Sequence, residues 1–437
     1  MALRTYLLIV PLFVSCLSGM AGCSAPVMRD IPMLSPEDPH FSIKHEYPVR
    51  SGEFRRTISH LLGPPIVDGN HIDTLLNGDQ IFPAMLEAIK GARESITFET
   101  YVYWGGDIGK QFADALSERA RAGVEVRAII DWLGAMYIDD SYLKEMKDAG
   151  VDINLYHKVR WFNPFRWKEI LDIENRTHRK ILVVDGKIGF TGGVGIADEW
   201  AGNAESPEHW RDTHYRITGP VVLQLQSAFL DNWLEIGGQV LQGDKYFPEV
   251  RAMGHEPAQA FKGSPLEATQ DVELMYRLAL AAAEHSIKIT NAYFLPDDGT
   301  IKALKQAARR GVEIEIIVPG KHLDTKGVKT ASPGLWGKLL KAGIKIYQYE
   351  PTMIHCKVLV VDDYFSSIGS TNFDNRSFRL NDEVNVNVLS EEFSRKQSRI
   401  FDEDRKHSKQ VTYDDWKHRP LHQKILSWFA LRFRREL

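Results

Sequence analysis

The sequence has little cysteine, no excess of positive charge and no long apolar run. Its 437 residues include only three cysteines, Cys16, Cys23 and Cys356, so no disulfide framework can be built from them. The formal net charge of −4 lacks the basic field with which proteins usually bind polyanions, so nucleic acid is not the expected partner. The apolar run from Tyr6 to Val14 is too short to span a bilayer.

The segment 1–22 is predicted to be an export signal, because Arg4 precedes that apolar run and small residues follow it. Residues Met20 to Cys23 resemble a bacterial lipobox. This implies cleavage before Cys23, lipidation of its thiol, and an exported, membrane-associated lipoprotein facing the periplasm or the cell exterior. An uncleaved anchor and a simple secretory signal remain open. Residues 23–74 are rich in proline, histidine and charge without a sustained period, and are interpreted as a tether and N-terminal extension.

The remaining chain indicates two copies of one α/β unit. Helical and strand-like patterns alternate from Leu75 onward. The same order recurs in the second half, where Ser286 to Tyr293 echoes Ser95 to Tyr101. The chain is long enough for two cores, so we predict repeated domains at 75–242 and 243–437, with the function located where they meet.

A motif that occurs once in each half carries the chemistry. His178, Lys180, Asp185 and Gly192 recur at one constant spacing, and the repeated set is His355, Lys357, Asp362 and Gly369. An unbroken run of Ile, Leu or Val after each lysine predicts a buried strand, in which residues two apart share a face. An imidazole and an ammonium on one face form a phosphate site, because the lysine neutralises a phosphoryl oxygen while the histidine attacks phosphorus or moves a proton. Two such faces together need no metal.

Single elements of the motif are weak signals, since a lone histidine beside an apolar strand is usually a structural residue. Recurrence at a constant spacing argues against that reading. Asp185 and Asp362 close their strands, and Asp185-Gly186 indicates a turn, so a structural, ion-pairing role is favoured over proton transfer for both. Cys356 lies between His355 and Lys357 and is expected to face the core.

Here the sequence resembles the phospholipase D superfamily, whose motif has the pattern HxKxxxxD followed shortly by GSxN. Among its members the cardiolipin synthases are the most similar, also through Trp210 to His214 and the run from Asn372 to Glu383. The resemblance covers the chain from about Asn70. It implies an α/β fold of two repeated domains, each a mixed sheet flanked by helices, with the active site between them.

The same resemblance implies roles for individual residues. His178 is the usual nucleophile, and His355 protonates the leaving alcohol and later deprotonates the acceptor. Lys180, Lys357 and Asn372, with Ser370, are expected to hold the phosphoryl oxygens. Asp212 and Glu383 stand where the superfamily has carboxylates that orient the imidazoles, and an ordinary ion pair is the alternative. The candidate catalytic set is His178, Lys180, Asp185, His355, Lys357 and Asp362.

One departure concerns the first motif, which has Gly193 and Gly195 where the full pattern has serine and asparagine. Glycine at the first of these positions also resembles many cardiolipin synthases. Main-chain amides exposed by glycine are expected to replace the missing donors. The two halves are therefore predicted to bind phosphate unequally, with activity retained.

Substrate choice depends on weaker signals. The run 156–168 mixes basic and aromatic residues, which suits a membrane interface, base stacking or a packed loop. Residues 424–435 are apolar on one helical side and basic on the other, as in a membrane-surface helix or a helix docked on the body. We expect phospholipid substrates at a membrane surface, no cofactor, and a site that a monomer completes. The favoured reaction makes cardiolipin from phosphatidylglycerol or another phosphatidyl donor through a phosphohistidine; a hydrolytic phospholipase D and a metal-independent nuclease are the alternatives.

Overall fold

A mixed β-sheet passes through both halves of the chain. The computed structural model describes residues 43–158, 175–264 and 271–434, and among these sixteen strands join one sheet while two more form a separate pair. The strands are β1 Val67–Leu76, β2 Ser95–Thr100, β3 Glu125–Asp131, β4 Asp152–Tyr156, β5 Arg176–Thr177, β6 Ile181–Val184, β7 Ile188–Gly192, β8 Thr213–Thr218, β9 Glu256–Gly263, β10 Ser286–Asn291, β11 Phe294–Leu295, β12 Glu313–Pro319, β13 Lys345–Tyr349, β14 Lys357–Val361, β15 Phe365–Gly369, β16 Phe373–Asp374, β17 Asn381–Leu389 and β18 Ser408–Val411.

The strand order confirms the predicted α/β fold of two repeats. The sheet runs β18-β13-β12-β10-β14-β15-β17-β9-β1-β8-β7-β6-β2-β3-β4. Read outward from the central antiparallel pair β1–β9, seven strands on each side pair in the same directions, and β18 is an additional strand beyond β13. Each half therefore contributes a similar sheet, and the halves join edge to edge within a single compact unit that begins at Ile43.

Helices cover both faces of this sheet. They are α1 Gly52–Leu61, α2 Asn77–Gly91, α3 Asp107–Arg121, α4 Asp140–Asp148, α5 Val222–Glu235, α6 Asp271–Ala282, α7 Asp298–Arg309, α8 Lys326–Ala331, α9 Pro333–Leu340, α10 Asn375–Arg379, α11 Glu391–Lys406, α12 Tyr413–Lys417 and α13 Leu421–Ala430. Amphipathic spacing explains their docking. In α3, for example, Ile108, Phe112 and Leu116 recur every fourth residue, and all three are buried in the first-half core. No helix of the described ranges has the length and apolar character needed to cross a bilayer.

The folded body extends further toward the N-terminus than the predicted boundary at Leu75. Helix α1 is capped by Ser51 and buries Phe54 and Ile58, and the Phe54 ring packs edge-on against Phe365 at 5.3 Å. Strand β1 lies in the centre of the sheet. A helix with so few buried residues shows no sustained period, which is why its sequence resembles a tether. The predicted signal and Cys23 lie outside the described residues.

Asp185 and Asp362 occupy equivalent turns after β6 and β14. The Asp185 carboxylate accepts hydrogen bonds from the amides of Arg93, Glu94 and Ser95, at the start of β2. The Asp362 carboxylate does the same for the amides at the start of β10, those of residues 284–286, each at 2.8 Å. Both aspartates have φ of 51°, a left-handed conformation that aspartate tolerates in turns.

The ion pairs expected for Asp185 and Asp362 are replaced by hydrogen bonds from main-chain amides. Each aspartate follows the far end of the strand that begins near its histidine, which is roughly 20 Å of extended chain. At that separation the carboxylate is out of reach of a reacting atom at the histidine, so the geometry fits a structural role in place of a catalytic one.

We expect Asp362→Ala to lower the free energy of unfolding by about 2–3 kcal/mol, because three amide donors lose a charged acceptor. Urea unfolding followed by circular dichroism measures this change. Asp68→Ala, which removes an exposed carboxylate paired with Arg55, is the control and should cost under about 1 kcal/mol. Equal losses in the two variants would contradict the structural role.

Candidate active site

The two motif histidines are each bound by a carboxylate from the opposite half. His178 Nδ1 lies 2.9 and 3.1 Å from the two carboxylate oxygens of Glu383. His355 Nδ1 lies 2.9 Å from Oδ2 of Asp212. His178 and Asp212 belong to the first half, and His355 and Glu383 to the second. Each half therefore orients the imidazole of the other through Nδ1, and Nε2 is the ring nitrogen that does not contact the carboxylate.

Main-chain hydrogen bonds between the halves fix this exchange. Just before β6, the N–H of His178 donates to the carbonyl of Asp382 at 2.8 Å, and β5 pairs in parallel with β17. The N–H of His355 donates to the carbonyl of Arg211 at 2.7 Å. Glu383 and Asp212 are the next residues after these two carbonyls. The histidines thus precede the regular strands and bridge to the opposite half.

The two lysines lie against their histidines. Lys180 Nζ donates to the His178 carbonyl at 2.8 Å, and Lys357 Nζ donates to the His355 carbonyl at 2.6 Å. Lys357 Nζ is also 2.9 and 3.0 Å from the two ring nitrogens of His355. Burial lowers the pKa of Lys180 to about 7 and that of Lys357 to about 8. Near neutral pH these ammonium groups are easily discharged unless an anion binds beside them.

The crossed carboxylate contacts bring the charges of the two motifs close enough to affect one another. The Lys357 charge helps to lower the pKa of His178, and the Asp212 charge opposes the lowering at Lys180. Burial is the largest cause at both imidazoles: it lowers the pKa of His178 to about 4, against the Glu383 carboxylate, and it lowers the pKa of His355 as well. Both rings are therefore unprotonated at neutral pH before substrate binds, as a nucleophile requires.

The carboxylates remain ionised in spite of burial. Burial raises the pKa of Asp212 and Glu383, but the contacts with His355 and His178 outweigh it and hold both values below the usual range. Two buried acids, two buried lysines and two imidazoles make a charge-balanced cluster. A phosphodiester monoanion entering the cluster would meet both ammonium groups.

Ser370 has a different position from the one expected for a phosphate ligand. Its hydroxyl donates to Glu383 Oε2 and accepts from the Val384 amide at 3.0 Å. Ser370 therefore supports the carboxylate that orients His178. Asn372 is buried, and its side-chain oxygen has no hydrogen-bond partner among the described residues. That orphan oxygen leaves Asn372 as a candidate contact for a bound substrate.

The expectation that the Gly193 amide replaces a missing hydrogen-bond donor to phosphate is wrong. That amide already donates to the Thr213 carbonyl at 3.1 Å. A Cβ at residue 193 would stand 2.2 Å from Asp212 Oδ1, so the carboxylate occupies the space of a side chain.

Cys356 is buried beside Phe401, as expected, and burial raises its pKa to about 12. Most of the aromatic and basic run 156–168 lies outside the described residues.

Sequence reasoning missed an aromatic lining around the imidazoles. The Tyr101 ring lies 5.2 Å from that of His178, and three rings approach His355, those of Trp200 at 5.3 Å, Trp210 at 5.6 Å and Tyr293 at 6.1 Å. Tyr101 and Tyr293 follow equivalent strands, so the internal repeat could have identified them. The internal repeat gives no such signal for Trp200, because the equivalent position in the second half is not aromatic.

Comparison with known proteins agrees with this arrangement. A family model described as cardiolipin synthase, PLD-like domain, matches twice, at residues 85–214 and 276–405. Cardiolipin synthase 2 of Bacillus anthracis is 36% identical over 81% of this chain and 68% of its own length. Cardiolipin synthase A of Pseudomonas putida is 33% identical over 80% of this chain and 72% of its own length.

The chain belongs to the phospholipase D-like cardiolipin synthase family. It is an enzyme of the phospholipase D type, a phosphatidyltransferase. Two solved structures share the fold alone. Phosphatidylserine synthase of Haemophilus influenzae has a TM-score of 0.66 at 14% identity, covering 88% of this chain and all of that one. Polyphosphate kinase of Porphyromonas gingivalis has a TM-score of 0.52 at 12% identity, covering 84% of this chain and 53% of that one.

For this phospholipase D-type enzyme we expect a bell-shaped pH dependence of kcat/KM. Activity should fall below about pH 4 as His178 takes up a proton, and should fall again as pH rises through about 7 and 8, where Lys180 and Lys357 lose theirs. Lys180→Arg keeps its charge and should move the alkaline limb upward. Lys187→Arg, at a position outside the cluster, is the control and should leave the limb in place. A flat profile across this range would contradict these roles.

Proposed function

We propose that the enzyme makes cardiolipin by moving a phosphatidyl group from one phosphatidylglycerol, or another phosphatidyl donor, to the glycerol hydroxyl of a second phosphatidylglycerol. The observation that carries the proposal is the crossed pair of carboxylate-held imidazoles beside two buried lysines. Similarity to proteins named cardiolipin synthase supports the choice of lipids.

The first step forms a phosphohistidine. Nε2 of His178 bonds to phosphorus, and the bond from phosphorus to the oxygen of the headgroup glycerol breaks. His355 gives that oxygen a proton, so that free glycerol leaves. Glu383 keeps the attacking imidazole oriented, and Lys180 and Lys357 neutralise the phosphoryl oxygens as charge develops. The incoming phosphate anion favours the charged lysines and a protonated His355, which burial otherwise opposes.

The second step reverses the roles. His355 takes the proton from the acceptor hydroxyl, whose oxygen bonds to phosphorus as the bond between phosphorus and nitrogen breaks. Asp212 stabilises the imidazolium in both steps. One phosphodiester replaces another, so the exchange needs no energy source.

The experiment is incubation of purified enzyme with phosphatidylglycerol, labelled in its phosphate, in EDTA, followed by product separation. We expect cardiolipin and free glycerol, and loss of at least a thousandfold in His178→Ala, because the nucleophile is absent. After denaturation in alkali, which a phosphohistidine survives better than acid, His355→Ala should show labelled protein, since the intermediate forms slowly and is not discharged. Phosphatidic acid as the only product would select hydrolysis, and His178→Ala with unchanged turnover would refute the nucleophile.

A membrane surface is the second part of the proposal. On α13 five large apolar side chains are exposed, namely Leu421, Ile425, Leu426, Trp428 and Phe429. From Trp416 to Arg434 the sequence has five lysines or arginines and no acidic residue. Exposed apolar groups with basic neighbours fit the interface of an anionic bilayer. A lipid on Cys23 of an exported precursor would add a second attachment.

A cavity of about 520 Å³ lies beside this helix. Leu426 and Ser427 of α13 form part of its wall, and Ala292 and Phe294 form another part. Those last two residues flank Tyr293, whose ring approaches His355. This proximity supports α13 as the place where lipid reaches the enzyme.

We expect the double variant Trp428→Ser with Phe429→Ser to bind phosphatidylglycerol vesicles at least tenfold more weakly, because burial of each ring contributes about 1.5–3 kcal/mol. Cosedimentation at two salt concentrations measures binding. The control is Val240→Ser with Met253→Ser, which removes apolar groups of similar exposure elsewhere. Unchanged vesicle binding in the α13 variant would refute docking by this helix.

A further inference from the structure

The two motifs differ in side-chain size at three equivalent positions. Counted from the histidines, Gly193 corresponds to Ser370, and Gly195 to Asn372. At the same spacing, Trp200 corresponds to Ser377. The first half thus has two glycines and a tryptophan where the second has three polar side chains.

The Trp200 indole lies beside the space that a side chain on residue 195 would need. Its Cη2 atom would lie 3.2 Å from a Cβ on residue 195, and Val102 would lie closer still, at 2.7 Å. Trp200 is only 2% exposed and packs against Trp210, with ring centres 4.5 Å apart. An asparagine at position 195 would collide with this arrangement. Gly195 therefore leaves room that Val102 and the Trp200 indole use.

The indole also makes a polar contact with the site. Trp200 Nε1 donates to Asp212 Oδ2 at 2.9 Å, the same oxygen that contacts His355 Nδ1. The other oxygen, Oδ1, accepts from the Thr213 amide at 2.8 Å. In the second half the matching contact to Glu383 comes from the Ser370 hydroxyl.

We propose that Trp200 is the positioning residue for the pair of Asp212 and His355, and that it does for His355 what Ser370 does for His178. An indole N–H can only donate, and its ring is fixed by packing, whereas a hydroxyl rotates and also accepts. Trp200 therefore holds Asp212 ionised and in one orientation while His355 gains and loses a proton. This inference rests on the proposed function, in which His355 is the proton-transferring histidine.

The test compares Trp200→Phe, which keeps most of the ring and loses the N–H, with Trp233→Phe. Trp233 is equally buried, and its Nε1 donates to the Gln239 carbonyl just beyond the end of α5, away from the site residues. We expect kcat for lipid transfer to fall at least tenfold in Trp200→Phe, the size of one lost hydrogen bond to a charged group, with KM changed less than threefold. The control variant should keep kcat within threefold, and both should lose similar thermal stability.

A second substrate separates positioning from general damage. A phosphodiester with a p-nitrophenolate leaving group needs no proton to depart, so in Trp200→Phe the first equivalent of p-nitrophenol, released before the acceptor step that also uses His355, should appear within threefold of the wild-type rate. The loss on the lipid should also disappear when Trp200→Phe is added to Asp212→Asn, because the indole acts through that carboxylate.

Three results would overturn the inference: equal kcat in the two tryptophan variants, equal losses on both substrates, or a full additional loss in the Asp212→Asn background. If Trp200→Phe does not fold, the indole N–H signals in the NMR spectrum of the full chain decide instead. The chemical shift of one of these signals should change in Asp212→Asn, and the lack of any change would refute the contact. Failure of the proposed function looks different, since the wild-type enzyme would then make no lipid product.

Discussion

The exchange of carboxylates between the two halves is the interaction on which the site depends. Asp212 and Glu383 are buried acids, and each would be costly to bury without the imidazole that it contacts. Because the imidazoles come from the opposite half, separating the halves would leave an unpaired carboxylate in each. The continuous sheet through β1 and β9 holds the halves in the register that this pairing requires.

The two halves differ in the side chain that supports each carboxylate. One carboxylate is held by a small hydroxyl, and the other by a large indole that packs beside Gly195. In the proposed mechanism the two histidines have different needs: the nucleophile must remain unprotonated and correctly oriented, while the acid-base group must change its charge twice in a cycle. Unequal surroundings are a physical means of giving two identical side chains different tasks.

Much of this architecture could be predicted from the repeated motif, because His178 and His355 recur with their lysines at a constant spacing. That spacing failed for the supporting acids. Strand pairing makes Asp212 equivalent to Glu383, since each lies just before the partner of Gly192 or Gly369, yet the two acids are closer together in the chain than the two histidines are. Extra residues in the first-half loop hide this match. Trp200 was unpredictable because its contact depends on space that glycines leave open, and α1 because a short helix has too few buried residues to show a period.

The central β1–β9 pairing has a further implication for ancestry. Two identical ancestral chains meeting along that edge would have formed a twofold dimer, in which every active-site residue appeared twice and neither histidine could differ from the other. Joining two such copies into one polypeptide would remove that constraint, so that substitutions could accumulate on one side only. The indole facing a single imidazole is the kind of change that a symmetric ancestor could not have acquired in one copy alone.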